Sequence, residues 1–173
     1  ITNYVKTTYQ AHVPLAVIGD TDILAAAPME MITAGLGDIL GKYTCLLDWK
    51  MAHIITGEYY CSHIADMVKE AVEIVVEEST RIKDRNPDAV KAVTEALVLS
   101  GIAMSFVGNS RPASGSEHHL SHYWEMKFQA EGKKPILHGI KVGIGMIAVT
   151  KMYETLENEQ FDFASLKERS FDY

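Results

Sequence analysis

Helical spacing dominates the chain from Pro28 onward. Met29, Ile32, Leu36, Ile39, Leu40, Tyr43, Leu46 and Leu47 recur at the intervals of one buried helix face and predict a long helix from Pro28 to about Ile55. Pro28 suits a first helical turn, and the helix is expected to bend or break near Gly35 and Gly37. Cys61 to Arg85 predicts a second helix, with Ile64, Val68, Ala71, Val72 and Val75 inward and acidic residues outward, ended by Asn86-Pro87. A third, from about Ala89 to Val107, is apolar on most sides and is expected to be central. Residues 108–117 are a polar run of turn formers. Ser114 and Glu117 have the spacing of a capping box, which predicts a helix starting there with His118, His119 and His122 in its first turns. A connection around Gly132 to Pro135 leads to a last long helix, about Leu137 to Leu156, in which Gly139, Gly143 and Gly145 allow close packing. The tail ending in Phe171-Asp172-Tyr173 is expected to fray or to pack as a short helix.

The front of the chain is different. Leu15-Ala16-Val17-Ile18 follows Pro14, runs into Gly19-Asp20 and predicts a strand. A strand has no stability alone, so this one is expected to pair with a sheet elsewhere, most simply in a preceding domain. The chain also starts at Ile1 rather than at a methionine, which fits a piece of something longer. The expected fold class is mainly α. Residues 1–27 would be the last strand and linker of an N-terminal domain, and residues 28–173 an all-helical domain.

Composition narrows the setting. With 173 residues and 47% hydrophobic positions, the chain can close one sizeable core. No uninterrupted apolar stretch reaches the roughly 18 to 20 residues that span a bilayer, and no export signal is visible. A net charge of −7 opposes non-specific binding to nucleic acid or an anionic membrane, so neither is an expected partner. Cys45 and Cys61 cannot make a disulfide framework and read as buried thiols of a reducing, cytoplasmic protein.

Chemistry concentrates between residues 118 and 138, where four of the seven histidines fall. His118 and His122, four apart, share a helix face and can bind a divalent metal or a substrate oxygen; the plainer alternative is a solvated helix start. His138, alone at a predicted helix start, suits a structural cap as well as a ligand. Two neutral imidazoles call for a carboxylate as third ligand. Asp38 is the candidate, because Leu36, Ile39, Leu40 and Tyr43 make its surroundings apolar; its alternative role is an i,i+4 pair with Lys42. Arg111 is the candidate phosphate clamp, or else a surface arginine of a flexible loop. Gly143-x-Gly145-x-x-Ala148 matches a loose dinucleotide fingerprint but lacks the preceding strand, so it reads as helix packing.

Three blocks together resemble one family: residues 34–49 (Ala-Gly-Leu-Gly-Asp-Ile-Leu-Gly-Lys-Tyr-Thr-Cys-Leu-Leu-Asp-Trp), residues 110–122 (Ser-Arg-Pro-Ala-Ser-Gly-Ser-Glu-His-His-Leu-Ser-His) and residues 137–139 (Leu-His-Gly). They are similar to the sn-glycerol-1-phosphate dehydrogenases, of the superfamily of iron-containing alcohol dehydrogenases, glycerol dehydrogenases and dehydroquinate synthases. Residues 14–28 look like that family's last strand before its helical domain, so the likeness runs to about residue 150.

The resemblance implies a C-terminal helical metal-binding domain of dehydroquinate synthase-like fold, with one divalent metal held by Asp38, His118 and His138. Zinc is the first choice, iron or nickel the others, and His119 beside His118 leaves a one-residue shift open. It implies that His122 contacts substrate, and that Arg111, seven residues before His118, meets phosphate. The implied reaction reduces dihydroxyacetone phosphate to sn-glycerol 1-phosphate with NADH or NADPH held by a missing N-terminal domain, in a possible homo-oligomer. The fragment alone is then expected to be inactive. The rivals are a glycerol dehydrogenase or dehydroquinate synthase-like enzyme and, from another class, a non-catalytic helical interaction module.

Overall fold

In a computed structural model the chain is described over residues 5–9 and 11–158. Seven helices follow one another: α1 (Thr21–Ala26), α2 (Met29–Leu40), α3 (Lys42–Thr56), α4 (Ser62–Ile82), α5 (Pro87–Val107), α6 (Ser116–Ala130) and α7 (His138–Asn158). The mainly helical reading therefore holds. The expected final element, beyond residue 158, lies outside the described residues.

The strand at Leu15–Ile18 does not form. Among the described residues there is only an isolated bridge at Val5, and Leu15 and Ile18 are 105% and 95% exposed. The cause is the one that makes any lone strand unstable: its amides and carbonyls have no neighbouring strand to pair with. Downstream the pattern missed α1, which Asp20 caps by accepting from the N–H groups of Asp22 and Ile23.

The long helix expected from Pro28 to Ile55 is two helices, and the break is at Gly41 rather than at Gly35 or Gly37. A Cβ on Gly41 would sit 2.7 Å from Val142 Cγ1 and 3.2 Å from Glu117 Cγ, so the junction of α2 and α3 lies close against α7 and α6. Gly37 stays within α2 and serves contact: a side chain there would run into the Gly139 carbonyl, and one on Gly139 into the carbonyl of Ala34. The glycines of α2 and α7 thus let the two backbones touch. As expected, Gly145 is also a packing glycine, with a Cβ position 2.7 Å from the Glu117 carbonyl oxygen.

The apolar core joins α2, α4 and α5 through Ile32, Ile39, Val72, Val75, Ile82, Val90 and Val93. α5 packs against α4, α1 and α2 and supplies half of the buried core cluster, as expected of a central helix, while Phe106 at its C-terminal end is 70% exposed. By length and composition α5 could cross a bilayer, as an apolar core helix also can. Its run is interrupted by Lys91 and Glu95, which pair at 3.7 Å. Cys45 is buried as expected, whereas Cys61 is only half-buried ahead of α4; both are free thiols. Trp49, fully buried, donates from its indole N–H to the Tyr59 carbonyl at 2.8 Å and meets the Tyr60 ring edge-on.

Candidate metal centre

Asp38 lies in the last turn of α2, His118 in the first turn of α6, and His138 is the first residue of α7. One ligand atom from each can be chosen so that all three lie within 4.8 Å of one another. The contact of α2 and α7 through Gly37 and Gly139 brings His138 within reach of so short a side chain as Asp38. His118 Nε2 is 3.3 Å from Asp38 Oδ1, and the rings of His118 and His138 have centroids 5.2 Å apart. His122, one turn along α6, stacks on His138 at 5.7 Å and stands edge-on to His118 at 6.2 Å. His119 is exposed and outside this group.

The pairing of Asp38 with Lys42 is also present. Lys42 is 1% exposed, and its ammonium donates to Asp38 Oδ1 and to the Ala113 carbonyl, both at 2.9 Å. Asp38 Oδ1 thus faces both the Lys42 ammonium and His118 Nε2. Burial opposes the charge on Asp38, but the contacts with His118 and Lys42 outweigh it and hold the carboxyl well below its usual range. His118 is disfavoured as a cation by burial, yet Asp38 and Glu117 on either side push its pKa up. His138 is pushed down by burial and by neighbouring His118. His122 is pushed down to about 4 by burial, with Lys6, His138 and His118 adding to the effect, so it is neutral at pH 7.

Two acidic residues escaped the reading of the sequence as parts of this centre. The expected capping box does not form: α6 starts at Ser116 after Gly115, with no side-chain cap from Ser114. The loop is pressed onto α3 so closely that a Cβ on Gly115 would lie 2.7 Å from Cys45 Cα. The cap comes instead from α3, where Asp48 Oδ2 accepts the Ser116 N–H at 2.6 Å while Oδ1 takes the hydroxyl of Tyr153 from α7. Glu117, fully buried, faces His118 Nδ1 at 2.7 Å. The signal for it was present as an acid immediately before the first histidine of the cluster; none existed for Asp48, whose partners are 68 and 105 residues away.

Arg111 does not join the histidine group. Its guanidinium makes a two-pronged contact with Glu58, Nε to Oε1 at 2.8 Å and NH2 to Oε2 at 2.6 Å, with both side chains partly exposed.

Known proteins match most of the chain. The chain is 43% identical over 150 residues to the glycerol-1-phosphate dehydrogenase [NAD(P)+] of Halalkalibacterium halodurans. Over that stretch it is similar to a glycerol-1-phosphate dehydrogenase. The enzyme of that name from Geobacillus thermodenitrificans is likewise 43% identical over 150 residues, and that from Methanosarcina acetivorans 39% over 153. The matches cover 87% to 88% of this chain, which spans only 38%, 37% and 42% of these three glycerol-1-phosphate dehydrogenases. No protein-family model matches the chain.

Proposed function

We propose that Asp38, His118 and His138 hold one divalent cation, zinc before iron or nickel, and that the chain forms the metal-binding part of an enzyme reducing dihydroxyacetone phosphate to sn-glycerol 1-phosphate. The observation that carries this is the convergence of one carboxylate and two imidazoles from three separate helices within 4.8 Å. The donor set fits such an ion: one ionised carboxylate and two nitrogens, three protein ligands in all, leave positions for substrate. When bound, the ion would supply a Lewis acid for the ketone oxygen, where negative charge builds during hydride transfer.

The remaining residues orient and exclude. The reaction adds a hydride to the carbonyl carbon and a proton to its oxygen. His122, neutral and stacked on His138, is placed to hold a substrate hydroxyl or to pass that proton along. Arg111 would receive the phosphate by exchanging Glu58 for it, since a carboxylate and a tetrahedral phosphate can each offer two oxygens to the guanidinium fork. NADH or NADPH would be bound by the part of the relatives that this chain does not match, after which residues 1–27 would serve as the connection and residues 28–173 as the helical domain. Its partners are then small molecules in a cytoplasmic setting, with a homo-oligomer allowed.

A second reading is a phosphate-free polyol dehydrogenase, favoured by the closed Arg111–Glu58 pair. Steady-state rates of the full-length enzyme on dihydroxyacetone phosphate and on dihydroxyacetone decide between them. A kcat/KM at least roughly a hundredfold higher for the phosphate supports the first reading, since loss of charged hydrogen bonds costs about 1.5 to 3 kcal/mol each. Equal values support the second. Absence of reduction with either substrate, in enzyme that holds its metal, contradicts both.

A further inference from the structure

Glu117 is a carboxylate at 0% exposure, an arrangement that needs every oxygen partnered. Its Oε1 accepts the Gly115 N–H at 2.7 Å and faces His118 Nδ1 at 2.7 Å, and the Thr44 hydroxyl lies 2.6 Å from Oε2. Carboxylates accept and do not donate, and of the two against His118 the Glu117 oxygen at 2.7 Å is closer than the Asp38 oxygen at 3.3 Å, so Nδ1 is the nitrogen that keeps the hydrogen when the ring carries one. The other nitrogen, Nε2, then points across the ring to Asp38 Oδ1, 3.3 Å away, on the side shared with His138.

We propose that Glu117 is the positioning residue of this centre: it holds His118 as the Nδ1–H tautomer, so that the Nε2 lone pair is presented to a divalent cation shared with Asp38 and His138. The proposal rests on the metal reading above. Capping of the first helical amide of α6, the Ser116 N–H, falls to Asp48 and not to Glu117. Moving the hydrogen from Nδ1 to Nε2 would turn an N–H donor toward the ion, and losing the carboxylate would lower the basicity of the ring. Glu117 acts through His118 and touches no substrate.

The test uses the full-length protein with zinc. Long-range proton–nitrogen spectra of the wild type are expected to show His118 protonated at Nδ1 and unprotonated at Nε2. Chelator competition is expected to give Glu117→Gln an affinity about 10 to 100-fold weaker than wild type. Thr44→Val, which keeps the carboxylate facing His118 and removes only the hydroxyl against Oε2, is expected to lose clearly less affinity than Glu117→Gln. A folded Glu117→Gln with wild-type affinity overturns the proposal, and so does a wild-type spectrum with hydrogen on Nε2. That spectrum decides the matter even if the variant fails to fold. If the wild type takes up no zinc, the metal reading falls and this proposal with it; if it takes up zinc and only the Glu117 results fail, the metal reading stands alone.

Discussion

His118 Nε2 and Asp38 Oδ1 stand 3.3 Å apart although 80 residues separate them, and the same oxygen takes the buried Lys42 ammonium at 2.9 Å. The contact depends on how closely α2, α6 and α7 are allowed to approach.

That approach is set by glycine. Gly139→Ala places a methyl group on the Ala34 carbonyl, which cannot move without shifting α2. The expected loss is about 1 to 3 kcal/mol of stability, read by denaturant unfolding, together with weaker metal uptake because His138 is the adjacent residue. Gly101, inside α5, has nothing within 4 Å of its Cβ position. Gly101→Ala is therefore expected to stabilise by about 0.5 to 1 kcal/mol in the same assay.

Asp48→Ala removes the acceptor for the Ser116 N–H and for the Tyr153 hydroxyl. The loss of this cap is expected to cost about 0.5 to 2 kcal/mol. Amide hydrogen exchange should speed up first in the opening turn of α6, where His118 sits.

Protonation gives a pH signature in the metal-free chain. His122 has a folded pKa of about 4 against an ordinary value of 6.5. The unfolded chain therefore takes a proton as pH falls from 6.5 to about 4 and the folded chain does not, so stability declines over that window. His138, also lowered, acts in the same direction; His118, raised, opposes it, its contribution being full below 6.5 and lost as pH rises. His122→Asn is expected to flatten the decline in thermal midpoint between pH 7 and 4.5, measured with chelator present. An unchanged slope would show that His122 titrates normally.

Arg111 and Glu58 neutralise each other. If the guanidinium serves phosphate, Glu58→Gln releases it and lowers KM for dihydroxyacetone phosphate in the full-length enzyme, while Arg111→Ala raises it roughly tenfold or more. Inorganic phosphate inhibition should shift in parallel.

Much of this was legible in the sequence because helical periodicity and ligand-type residues are local signals. The ends of α4, α5 and α7 follow from Asn86-Pro87 and from the apolar spacing, and the Asp38, His118 and His138 positions stand in distinctive blocks. The close packing at Gly41 was not legible, because the side chains against it, Val142 and Glu117, belong to other helices. Arg111 reads as a phosphate clamp or a surface loop arginine, and its pairing with Glu58, 53 residues away, leaves no trace in spacing. The strand at Leu15–Ile18 reads correctly as a pattern, but pairing decides whether a strand exists.

Metal analysis of the full-length protein and of Asp38→Asn is the most direct measurement. One divalent ion per wild-type chain, with most of it lost from a folded Asp38→Asn, is the expected result. A wild type without stoichiometric metal, or an Asp38→Asn variant that keeps the wild-type ratio and affinity, would contradict a cation held between α2, α6 and α7.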